Sequence, residues 1–145
     1  MVRFMPRYHP WRHLRDEHPD VHVTFHVPVP GGVLGWWHRA GLGIRPGLTQ
    51  AQRRSTIAHE LVHLERGETC GMSRAHLAGH ELQVEQQAAE RLMPLDELLD
   101  AIQWGQGEPD PDELQVDPVA LLVRVRGLTD EERHWIDDKL EERSR

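Results

Sequence analysis

His59, Glu60 and His63 stand in His-Glu-x-x-His spacing within Ser55-Thr56-Ile57-Ala58-His59-Glu60-Leu61-Val62-His63-Leu64-Glu65-Arg66-Gly67. On a helix, residues four apart lie about 6 Å apart along the axis and about 40° apart around it. Both imidazoles can therefore face one metal ion. Glu60, beside the first, is placed to hold a water and take its proton. Zinc suits this set because it accepts neutral imidazole nitrogen and carboxylate oxygen and tolerates an open coordination position.

The elements that must hold these residues can be read around them. Thr49 with Gln52 three places on has the form of a capping box, which starts a helix near residue 50. Gly67 reads as its stop. Ile57, Ala58, Leu61, Val62 and Leu64 form an apolar face for the same segment. The motif thus sits in the C-terminal half of a bounded amphipathic helix, as the chemistry requires.

A catalytic zinc keeps about three protein ligands and a water, so a third ligand must come from elsewhere. The next helical stretch, Gly79 to Pro94, offers Glu81 and Glu85, four apart on one face, with Ala88, Ala89 and Leu92 continuing the stripe inward. A carboxylate on an inward face needs a compensating partner. Glu81 as metal ligand, and Glu85 hydrogen-bonded to a ligand histidine, would supply it. His76 and His80 are rival ligands, also four apart, but without the intervening Glu or the apolar framing.

Here the sequence resembles a known family. "STIAHELVHLERG", followed by "ELQVEQQAAERLMP", is similar to the ImmA/IrrE metallopeptidases, particularly the short actinobacterial and phage-borne members, from about Tyr8 to Pro94. Glu85 stands where Asn or Asp is usual there, and Gln87 where an aromatic is usual. The resemblance implies a zincin-like core with His59, His63 and Glu81 as zinc ligands, one ion per chain, and Glu60 as catalytic base. It places Glu85 behind the ligands. It also implies the substrate: a helix-turn-helix transcriptional repressor of a phage or mobile element, cut at a specific site.

The 145 residues suit one domain with one adequate core. A formal charge of -7 argues against non-specific nucleic-acid binding, which rests on cationic neutralisation of phosphates, so direct DNA contact is not expected. One cysteine, Cys70, excludes an internal disulfide and fits a reducing cytoplasm. No signal segment or 18-residue apolar run is visible, so a soluble protein with no membrane partner is expected.

In chain order, Pro10 to Arg15 reads as a short helix. Val21 to Val27 alternates strictly and reads as a half-buried strand, which explains His22, Thr24 and His26 as its polar face. Val33–His38 and Leu42–Ile44 suggest two more strands, completing a small antiparallel sheet ahead of the motif helix. The edge of such a sheet can bind an extended peptide, and Gly35, Trp36, Trp37 and His38 are the substrate-binding candidates. Trp36 and Trp37, being adjacent, would face opposite sides. Leu95 to Trp104 reads as a helix and Gly105 to Pro111 as a loop. Asp112 to Leu128 has the rhythm of two short helices about a turn, a degenerate helix-turn-helix with Gln115 where a turn glycine would help. Packing or substrate docking suits it better than DNA contact. Thr129 with Glu132 opens a last helix whose stripe is Trp135, Ile136 and Leu140.

The fold expected is α+β: a zincin-like core over residues 1–104 with a small antiparallel sheet, the His-Glu-x-x-His helix and a following glutamate helix. A helical tail over 105–145 packs on it as one domain. The function expected is zinc-dependent peptide-bond hydrolysis in the cytoplasm. A further donor to the oxyanion would come from Tyr8, His38, His76 or His134, and the sequence does not choose. Two other readings stay open: a zinc-containing regulatory binding protein, marked by a basic patch around Arg124 and Arg126, and a closed structural site completed by His76, His80 or Cys70. Neither gives Glu60 a task.

Overall fold

Thr49 opens the central helix as its sequence predicts. Its Oγ1 accepts from the Gln52 N–H at 3.1 Å, and Gln52 Oε1 accepts from the Thr49 N–H at 2.9 Å. The helix, α2, runs Gln50–Glu65. It ends in a Schellman motif: Gly67 takes φ 74°, the Gly67 N–H donates to Leu64 O and the Glu68 N–H donates to His63 O at 2.8 Å. The computed structural model describes residues 7–25, 29, 31–68 and 74–145, with 74–80 described by backbone alone.

Around α2 the other elements are α1 (Pro10–Glu17), β1 (Val23–Thr24), β2 (Gly35–His38), β3 (Gly41–Ile44), α3 (Arg74–Leu92), α4 (Leu95–Trp104), α5 (Pro111–Leu114), α6 (Pro118–Arg126) and α7 (Asp130–Arg143). The architecture is α+β, as expected. The apolar residues of α2 divide into two stripes. Ile57 and Leu61 bury against Leu14, Leu42 and Ile44, on the sheet side. Ala58 and Val62 bury against Val84, Ala88, Leu92 and the later helices. A helix buried on two sides has its remaining face held rigidly, and that face carries His59 and His63.

The sheet differs from expectation in strand direction and in extent: of the described residues in the alternating run Val21–Val27 only Val23–Thr24 forms a strand, and β2 begins at Gly35, not Val33. The strand order is β1-β3-β2; β2 and β3 pair antiparallel, with Gly35 opposite Ile44 and Trp37 opposite Leu42, but β1 pairs parallel to β3. The sheet is therefore mixed. Alternation marks a strand and its buried face but is silent on the direction of its partner. Val21, Val23 and Phe25 do pack inward, while His26 and Val27 lie outside the described residues. Gly41, at φ 132°, lets β3 pass β1: a Cβ there would stand 2.1 Å from His22 O.

The tail shares the helical core. Leu114, Val116, Leu121 and Ile136 are buried in the same cluster as Ala58 and Val62. Gln115, at the turn, takes the left-handed conformation (φ 56°, ψ 45°) that glycine adopts more easily. Arg54 of α2 clasps this turn, donating to Leu114 O at 3.3 Å and Gln115 O at 3.0 Å, and reaches Tyr8 O at 2.8 Å. Its burial, helped by Arg7, brings its pKa down to about 10. The stripe of α7 is narrower than predicted: Ile136 enters the core, Leu140 packs beside it, and Trp135 stays at the surface as α7 lies on α4.

Candidate metal centre

Three side chains from two helices converge. His63 Nε2 lies 2.8 Å from Glu81 Oε1 and His59 Nε2 lies 3.2 Å from Glu81 Oε2. The two rings are 4.9 Å apart, centre to centre, at 70°. One ligand atom from each residue falls within 4.8 Å of the others. With zinc–ligand bonds of about 2.0–2.1 Å, a tetrahedral set separates its ligand atoms by about 3.4 Å. Two imidazole nitrogens and a carboxylate at these spacings fit such an ion without rearrangement of the backbone. His63 is 4% exposed and sits in the turn locked by the Schellman motif. Its Nε2 is the atom that faces Glu81, while its Nδ1 is buried with no hydrogen-bond partner among the described residues.

The charges of the site act on one another. Hydrogen bonding to His59 outweighs burial and, with the nearby imidazoles, holds Glu81 below the usual carboxylate range. Burial pulls His59 down, but its bond to Glu81 and the charges of Glu60, Glu81 and Glu85 raise it overall. Glu60 is 9% exposed, and burial raises its pKa against the opposing pull of His59 and His63. The Trp37 indole N–H faces Glu60 and favours its ionised form, although it falls short of ordinary hydrogen-bond geometry.

These groups open into one cavity of about 830 Å³. Gly35, Trp36 and Trp37 line it, at the edge of β2; His38 does not. Its Nδ1 accepts from the Ala40 N–H at 3.1 Å, closing the β2–β3 turn. Glu85 lines the cavity and acts on His59 through its charge, but it makes no hydrogen bond to either ligand histidine among the described residues. Of the oxyanion candidates, Tyr8 bonds His13 Nδ1 at 2.6 Å, and neither it, His38 nor His134 lines the cavity. Cys70 and the side chains of His76 and His80 lie outside the described residues. Arg124, which an exposed basic patch of the regulatory-binding alternative would require, is 5% exposed and donates through Nε to Met93 O at 2.8 Å. Sequence reasoning missed Thr56, Asp117 and Ala120 at the cavity wall: Thr56 stands on α2, four residues before Glu60, and Asp117 and Ala120 arrive with α6 as it packs on α3.

A buried glutamate beside two imidazoles and a carboxylate, in a cleft at a strand edge of an α+β core, defines a metallopeptidase-type centre. The chain belongs to the peptidase M78 family: the family model described as IrrE N-terminal-like domain matches residues 17–125. No curated protein and no solved structure matches it. Family and site together support metal-dependent peptide hydrolysis. Among the described residues, no helix is long and apolar enough to cross a membrane.

Proposed function

We propose that the chain is a zinc-dependent endopeptidase of the cytoplasm that cuts a helix-turn-helix repressor of a phage or mobile element. The observation that carries this reading is the convergence of His59, His63 and Glu81 beside the buried carboxylate of Glu60. Zinc held by those three side chains, one ion per chain, would supply Lewis acidity to a scissile carbonyl and to a water. The remaining work falls to the chain. Glu60 holds the water, takes its proton and returns it to the leaving amine. Burial raises its pKa, the direction that favours holding a proton in passing. Glu85 supports His59 electrostatically from the cavity wall. An extended substrate adds to the β2 edge beside Gly35, Trp36 and Trp37.

The choice of a repressor follows the resemblance to the ImmA/IrrE family, and charge agrees with it. DNA-binding domains carry basic patches, and this chain carries a net -7. A DNA-contacting role for the tail is disfavoured, since the guanidinium of Arg124 is engaged inside the fold. We read residues 1–104 and 105–145 as one domain, because Leu121 and Ile136 bury with Ala58 and Val62.

The test pairs metal content with activity. Wild type and Glu60→Gln are purified, their bound metal is quantified, and each is incubated with the repressor encoded beside the gene. Both are expected to bind about one zinc per chain, with a discrete cut by wild type alone. Zinc bound with no cut by wild type would favour a regulatory binding protein. Wild type binding no metal would overturn the site itself.

A further inference from the structure

The cavity does not end at the metal-binding residues. Its volume of about 830 Å³ lies within the ~300–1,000 Å³ typical of ligand sites. Part of its wall is the tail helix: Val119, Ala120 and Val123 of α6 line it together with Ala88, Ala89 and Leu92 of α3. All six are apolar; Ala88, Ala89 and Leu92 are core residues with only their edges at the cavity, and the α6 residues form its more open side.

This wall is tied to both helices of the metal centre. At the start of α6 the Asp117 N–H donates to Ser55 Oγ at 3.0 Å, one turn before His59 on α2. Near the end of α6, Arg124 Nε donates to Met93 O just beyond α3. Val119, in the first turn of α6, remains 62% exposed at the cavity. Covering apolar surface of this kind is favourable by about 25 cal/mol per Å². A polar side chain placed there would lose hydration without a partner, and an acidic one would also meet Glu85 and Asp117.

We propose that the part of the cavity walled by α3 and α6 receives an aliphatic side chain of the peptide substrate beside the cut, and that Ala120 sets the size accepted. This rests on the endopeptidase reading, and the experiment separates the two. Zinc-loaded full-length chain is given capped octapeptides that differ only at the positions flanking one central bond, carrying Leu, Ala, Gln or Asp. Cleavage is followed by mass spectrometry. In parallel, the same peptides are titrated into Glu60→Gln by tryptophan fluorescence.

At one flanking position, Leu is expected to exceed Asp by at least about tenfold in kcat/KM and in affinity. Ala120→Leu should lower the Leu-over-Ala ratio by about tenfold, the scale set by a methylene or two in an apolar pocket. Val119→Ser, at an exposed site that does not threaten folding, should weaken the same preference. Aliphatic preference in binding, shifted by these variants, with no cleavage by any form would keep the pocket and remove the endopeptidase reading. Cleavage without the preference, or with a preference neither variant alters, would remove the pocket and keep the reading. Neither binding nor cleavage across the panel would overturn both.

Discussion

Gly35 lies against Glu60 so closely that a methyl group on its Cα would stand 3.0 Å from Glu60 Cγ and 2.9 Å from Thr56 Cγ2. The absence of a side chain there lets the edge strand back the carboxylate assigned as base. Gly35→Ala must push β2 away from α2. It is expected to destabilise by about 1–3 kcal/mol, to reduce hydrolysis more than about tenfold, and to leave the zinc stoichiometry at that of wild type. Wild-type rates in Gly35→Ala would show that β2 does not position Glu60.

Glu81 joins α3 to the two histidines of α2, so a metal held there links two elements of the core. An ion that binds only the folded chain stabilises it by about 2.7 kcal/mol at a hundredfold excess over Kd. Chelation is therefore expected to lower Tm by several degrees, and zinc to restore it. Glu81→Ala should lose most of this zinc-dependent shift. An undiminished shift in that variant would remove Glu81 from the ligand set.

Pro94 interrupts the backbone after α3, and the Met93 carbonyl accepts from Arg124 Nε instead. Arg124→Leu leaves that buried acceptor unpaired, at a cost of about 1–3 kcal/mol. Urea unfolding should show a lower midpoint with an unchanged slope. Arg124→Lys should recover little, because an ammonium lacks the planar fork. A variant as stable as wild type would show that the contact is incidental.

Glu132 closes the capping box of α7, accepting from the Thr129 N–H at 3.0 Å, with Arg124 Nη2 3.7 Å away. The bond from the Thr129 backbone, together with the Arg124 charge, lowers its pKa. A lowered carboxyl pKa stabilises above the ordinary glutamate value, about 4.3, and that contribution fades as pH falls through the folded-state value. Glu132→Gln keeps the cap but loses the charge. The stability gap between wild type and Glu132→Gln should be present at pH 7 and close below about pH 4. A gap independent of pH would assign it to packing. Thr129→Ala, which removes the cap itself, should cost about 1 kcal/mol.

How much of this was legible in the sequence depended on range. The Thr49–Gln52 and Thr129–Glu132 boxes formed as predicted, since a cap is settled within four residues. The run Leu95–Trp104 became a helix with those bounds, and Gln115 adopted the strained turn that its position implied. The convergence of His59, His63 and Glu81 was legible because two of the three share one helix turn and the third lies on an inward face of the next helix. A strand pattern does not reveal that His38, the last residue of β2, bonds back into the turn and stands outside the cavity wall. Trp135 was misjudged because hydrophobicity does not tell a core residue from one beside a surface helix.

By itself, then, the sequence determined the elements and the chemistry one helix can carry: spacing, caps, residue types able to hold a metal and a carboxylate beside them. These are short-range properties, decided within a turn or two of chain. Only the tertiary structure decided that β1 runs parallel to β3, that Arg124 is buried, that Gly35 backs Glu60, and that α6 walls the cavity. Each of these is a choice of partner between elements far apart in the chain. That choice is made by whichever arrangement buries both apolar stripes of α2 at once, which no single segment encodes.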